Sequence, residues 1–160
     1  MPTAQSTRQA GSAFPNWTWL FPVTYILHIG EEYWGGEGFP RWISRVAGVH
    51  LTADHFLILN CIGLVLMTAG IGLVSQWAVW RWTLTAFGGV VLLNGASHAI
   101  ASIITRSYSP GLVTGLLCWV PLGVITLRHE WRNAARPTFR TGTLSAIGLH
   151  TLIFFLVLDT

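Results

Sequence analysis

The sequence predicts an all-α, polytopic bundle of about five transmembrane helices. Three observations predict it. Of 160 residues, 52% are hydrophobic and only 9% are Asp, Glu, Lys or Arg, against about a quarter charged in an ordinary soluble domain. Those few charges leave long charge-free runs at residues 9–30, 55–80, 82–105, 107–127 and 141–158. Tryptophans gather near the ends of the runs, at positions 17, 19, 34, 77, 80 and 82, as rings that anchor at headgroup level should. So few charges cannot cover a water-soluble surface. Disorder, collagen, coiled coil and an ordinary soluble enzyme are excluded, and the length suits one domain.

About 20 apolar residues cross a hydrocarbon core. Lipid offers backbone N–H and C=O groups no partner, so each run is expected to be helical. The spans are placed at 17–34, 52–75, 79–105, 109–128 and 141–159. Residues 1–16 read as a polar, mobile tail and 17–160 as one transmembrane domain. The first span is not a cleaved signal peptide, because Glu31 and Glu32 follow it without a small-residue cleavage site. Segment 36–50 is too polar to span and is expected to lie along the interface. The second span opens at Asp54, read as an interfacial cap. The fourth opens with Tyr108-Ser109-Pro110-Gly111, whose proline suits a first helical turn. Gly111 and Gly115 on that span read as a close helix contact. Segment 129–140 reads as a charged loop. Asn60 and His150 are expected to hydrogen-bond between helices.

All nine basic residues are arginine, and the formal net charge is +3. They form no basic stripe interleaved with stacking aromatics, so nucleic acid is not an expected partner. With five spans, six arginines fall on the side of the N-terminal tail and three on the other, which predicts a cytoplasmic N-terminus. Cys61 and Cys118 have no metal-type spacing and read as small apolar fillers.

Ionisable groups inside a span need a reason. The first span carries His28-x-x-Glu31-Glu32, two of the chain's six acids beside a histidine on neighbouring turns. Adjacent carboxylates at the edge of lipid need a proton, a cation or a metal. The third span carries Asn94 and His98 one turn apart. Alternating span directions bring residues 28–32, 54–60, 94–98 and 108 toward one half of the bilayer.

His28-x-x-Glu31-Glu32, Asn94-x-x-x-His98 and Arg106-x-Tyr108-x-Pro110-Gly111, in that order, resemble the HXXEE-domain family of small bacterial integral membrane proteins. The resemblance covers about residues 17 to 128. It implies a membrane protein with a polar site at His28, Glu31, Glu32, Asn94 and His98, without supplying a reaction. With the lack of organelle signals, it also implies the bacterial inner membrane.

Three readings follow. The favoured one is an intramembrane enzyme acting on an apolar or lipid-like substrate. Its catalytic candidates are Glu31, Glu32, His98, Asn94 and Tyr108. It would use either a divalent metal, iron or zinc, on His28, Glu31, Glu32 and His98, or metal-free acid–base chemistry with one glutamate held protonated. The second is a proton or metal-ion transporter. The third is a structural membrane subunit. The expected partners are membrane lipids, an apolar small molecule and a second copy of the chain.

Overall fold

The computed structural model describes residues 15–158. Among the described residues there are six α-helices and no strand. After a 3-10 turn at Asn16–Trp19 come α1 (Leu20–Trp34), α2 (Phe39–Ala47) and α3 (Ala53–Gln76). A 3-10 turn at Ala78–Trp80 leads into α4 (Arg81–Thr105). Then follow α5 (Leu112–Asn133), which contains a π-helical turn at Gly115–Trp119, and α6 (Arg136–Leu158).

Four helices, α3 to α6, are long and apolar enough to cross a membrane, with the Ala78–Trp80 turn counted into α4. α1 has 15 residues, about 22 Å at 1.5 Å per residue. With the preceding 3-10 turn it reaches roughly 30 Å, one hydrocarbon thickness. Much of the outer surface is apolar: Ile103 is 77% exposed, Ile104 75%, Leu117 72% and Leu144 71%. Water would not tolerate that surface on a soluble monomer.

α4 is the hub and packs against α3, α5 and α6. Its crossing with α5 is close because small residues face each other. A Cβ on Gly95 would lie 2.7 Å from the Gly115 carbonyl oxygen, and one on Gly123 2.7 Å from that of Gly88. Without a hydrophobic drive between helices in lipid, such backbone approach supplies the packing. Phe21, Met67, Ile71, Leu84, Val91, Trp119 and Leu122 form the buried cluster.

Helix ends differ from the sequence expectation in three places. The fourth span does not open at residue 109 with Pro110 in its first turn: Gly111, at φ +99°, cannot be helical, so it caps α5, which begins at Leu112, and Pro110 lies in the turn before it. The charged loop expected over 129–140 shrinks to residues 134 and 135, because α5 runs to Asn133 and α6 starts at Arg136. Arginine and glutamate are good helix formers, so charge marks where a helix leaves lipid and not where it stops. Pro137, which lacks an N–H, sits in the first turn of α6. The cap of α3 is Thr52, whose hydroxyl accepts from the His55 N–H at 3.1 Å, while Asp54 lies in the first turn. Segment 36–50 contains a nine-residue amphipathic helix, α2, with Trp42 buried and Arg41 and Arg45 outward. The tail expected over 1–16 falls mostly outside the described residues, and Asn16 begins the first 3-10 turn.

A buried ion pair ties the start of α4 to the end of α5. Arg81 donates from Nε to Glu130 Oε2 at 2.8 Å and from Nη2 to Oε1 at 3.1 Å. His129 Nδ1 lies 2.9 Å from Glu130 Oε1, and Glu130 is fully buried. Removing one partner of a buried pair strands the other charge. Glu130→Gln is therefore expected to lower stability by about 3 kcal/mol, read as a lower thermal midpoint in detergent. An unchanged midpoint would contradict the clamp.

Candidate functional site

One turn of α1 carries the first motif, and its residues part company. Consecutive helical residues point about 100° apart, so Glu31 and Glu32 leave the helix in different directions. Glu32 joins His28 on the face toward α4. Its Oε1 lies 3.7 Å from His28 Nε2 and 3.3 Å from His98 Nε2. The three ligand-capable atoms all lie within 4.8 Å of one another, and all three residues are buried. Two ligands on a tetrahedral ion with bonds of ~2.1 Å stand about 3.4 Å apart. Both Glu32–histidine separations fall close to that.

Glu31 goes elsewhere. It accepts from the backbone N–H groups of Val113 and Thr114 at 2.8 and 2.6 Å, and from the hydroxyls of Thr114 and Tyr108. A carboxylate on the first N–H groups of a helix is electrostatically well placed. Glu31, expected among the metal ligands, thus sits on the N-terminus of α5. Burial first, and then the Glu31 carboxylate, push the Tyr108 hydroxyl up to about 12. It remains a donor to Glu31 throughout the physiological range.

This arrangement fixes a proton. The Thr114 hydroxyl gives its one hydrogen to Glu31 Oε2, so its oxygen accepts from His28 Nδ1, 2.7 Å away. The neutral His28 ring then carries its proton on Nδ1 and a lone pair on Nε2. That Nε2 is buried without a hydrogen-bond partner, and so is Asn94 Oδ1, whose side chain acts on the same ring. His98 is held likewise, its Nδ1 3.0 Å from Ser109 Oγ. Both imidazoles are therefore oriented by hydroxyls at Nδ1, with Nε2 turned toward Glu32. Hydrogen bonds at the far nitrogen set which ring atom is free to coordinate.

Aromatic rings and one glycine close the site. Trp119, on the π-helical turn of α5, stacks on His28 with centroids 3.7 Å apart. Phe39, opening α2, meets His98 edge-on at 5.8 Å. Gly111 has φ +99°, and a Cβ there would lie 2.8 Å from His98 Cε1 and 2.9 Å from His28 Cε1.

The structure brings together His28, Glu32 and His98, with Asn94 beside His28. Glu31 and Tyr108 form an adjoining hydrogen-bond group. Asp54 and His55 are exposed. Asn60 accepts from Tyr25 at 3.3 Å, and His150 Nε2 lies 3.3 Å from Ser97 Oγ. Gly115 faces Gly95 across the α4–α5 crossing, whereas its sequence partner Gly111 lies against the imidazoles. Thr114, Ser109 and Trp119 escaped the sequence reading. Thr114, a hydroxyl one turn after Gly111 in an apolar run, was the available signal for the first of them.

The family described as "Protein of unknown function with HXXEE motif" matches residues 19–126. The chain belongs to the HXXEE family. The matched stretch contains the whole His28, Glu32, His98 group and its hydroxyl supports. The chain is also similar to the uncharacterized protein YrkK of Bacillus subtilis (strain 168). It is 28% identical over 115 residues, covering 68% of this chain and 70% of YrkK. No solved structure matches.

Proposed function

We propose that this HXXEE protein is an intramembrane enzyme in which His28, Glu32 and His98 hold one divalent metal, iron or zinc, and act on an apolar or lipid-like substrate. The observation that carries the reading is a convergence of lone pairs. Glu32 Oε1 lies between His28 Nε2 and His98 Nε2, 3.7 and 3.3 Å away, and His28 Nε2 and the neighbouring Asn94 Oδ1 are buried without a hydrogen-bond partner. Buried acceptors facing one another need an electrophile between them. Two imidazoles and one carboxylate suit either ion, and three protein ligands leave positions open for chemistry. Such an ion, when bound, supplies a Lewis acid and a bound water of lowered pKa.

The chain's own residues do the rest. Thr114 and Ser109 orient the imidazoles. Trp119 and Phe39 exclude water. Glu32 is the group placed to take a proton beside His98, and Asn94 offers an amide to a substrate or ligand. Burial among apolar helices favours a substrate that enters from lipid. The asymmetric arginines support a cytoplasmic N-terminus in a bacterial inner membrane.

The test is a lipid profile of host membranes. Wild-type chain should change at least one lipid or apolar metabolite, and His98→Ala at equal abundance should not. Identical profiles, together with ion flux in proteoliposomes that Glu32→Gln abolishes, would replace the enzyme with a transporter. Thr114→Val is expected to weaken metal binding about 10- to 100-fold, the usual loss for a group that orients a ligand. Thr114→Ser should restore most of it. Competition with a chromophoric chelator reads both, and equal affinities for wild type and Thr114→Val would refute the tautomer argument.

A further inference from the structure

The end of the bundle remote from the His28, Glu32, His98 group carries a basic cleft that the proposed chemistry does not use. It lies where α5 ends and α6 begins, and Leu127, Arg128, Trp131, Arg132 and Phe139 line it. Arg128 and Arg132 are one helical turn apart and both exposed. Arg136 and Arg140 follow on the first turns of α6. No ion pair among the described residues uses any of these four arginines. The neighbouring acid in the chain, Glu130, is turned inward onto Arg81 and His129. Among the described residues, positive charge is thus left without an ion-pair partner in a cleft walled by aromatics. Trp131 is 69% exposed and meets Phe139 edge-on at 5.2 Å. All five lining residues lie beyond residue 126, outside the stretch the HXXEE family matches.

We propose that this cleft binds the headgroup of an anionic phospholipid. Guanidinium pairs match phosphate oxygens in geometry and charge. Exposed tryptophan belongs at headgroup depth. Below the cleft the same two helices present exposed Ile125 and Leu144, apolar surface against which acyl chains can lie. The arginines attract the anionic lipid, and the Trp131–Phe139 pair gives the headgroup a wall. This site stands at the opposite end from the proposed metal group, so either can fail without the other.

Native mass spectrometry of the full chain in detergent, with equimolar phosphatidylglycerol and phosphatidylcholine, tests it. Wild type should retain phosphatidylglycerol roughly tenfold over phosphatidylcholine, a preference two interfacial arginines can supply. R128Q/R132Q should lose that preference, and R41Q/R45Q, with the same charge change on α2, should keep it. If the double variant does not fold, R128Q and R132Q singly should each lose part. Millimolar inorganic phosphate should not displace the lipid. No preference in wild type, a preference surviving R128Q/R132Q, an equal loss in R41Q/R45Q, or displacement by phosphate would each overturn the proposal.

Discussion

Glu32→Gln is expected to strip the bound metal from the purified chain, while Glu31→Gln leaves it in place. The two residues are neighbours and chemically identical, yet they serve different partners. Glu32 Oε1 lies 3.3 Å from His98 Nε2 in a buried group. It is the one carboxyl group among the three, and an amide in its place removes the ligand that could offset the charge of a divalent ion. The loss should exceed the ~100-fold typical of outer-shell partners. Glu31 instead satisfies four donors at the start of α5. Glu31→Gln should lower the thermal midpoint, because charge-assisted bonds to helix N–H groups are the strong ones. Metal content by plasma emission, with the thermal midpoint, separates the two outcomes. Equal metal loss in both variants would mean the motif acts as one carboxylate pair, as the sequence alone suggested.

Gly111→Ala is expected to abolish metal binding outright. The position has φ +99°, and an alanine Cβ would stand under 3 Å from the Cε1 atoms of both imidazoles. Two costs combine, the left-handed backbone and the filled site. Gly48→Ala separates them. Gly48 also has positive φ, +73°, but nothing lies within 4 Å of its would-be Cβ. Both variants should lose about 1–2 kcal/mol for the backbone, and only Gly111→Ala should lose the metal. A Gly111→Ala chain that binds metal as wild type does would show that the imidazoles do not meet there.

The all-helical architecture was legible because lipid enforces it. Charge-free runs near 20 residues leave the backbone one economical solution. Helix ends were less legible, since Arg128, Arg132 and Arg136 extend helices into the interface as readily as they could occupy a loop. In the site, i and i+4 spacing put His28 and Glu32 on one face, and one turn separated Asn94 from His98. Spacing could not divide Glu31 from Glu32, because that division depends on where α5 begins. Nor could it reveal that Thr114 and Ser109 hold the rings. Those contacts cross 86 and 11 residues of sequence, and a lone hydroxyl in an apolar run more often bonds its own helix, as Thr68 does on α3. Gly111 read as half of a helix-packing pair, because a glycine has no side chain to announce what it makes room for.

The central claim is that two imidazoles and the Glu32 carboxylate share one ion. X-ray absorption at the metal edge of the loaded, full-length chain tests it most directly. The account predicts two imidazole nitrogens and at least one oxygen at about 2.0–2.2 Å, with one imidazole signal lost in His98→Ala. A spectrum with oxygen neighbours alone, identical in wild type and His98→Ala, would contradict it.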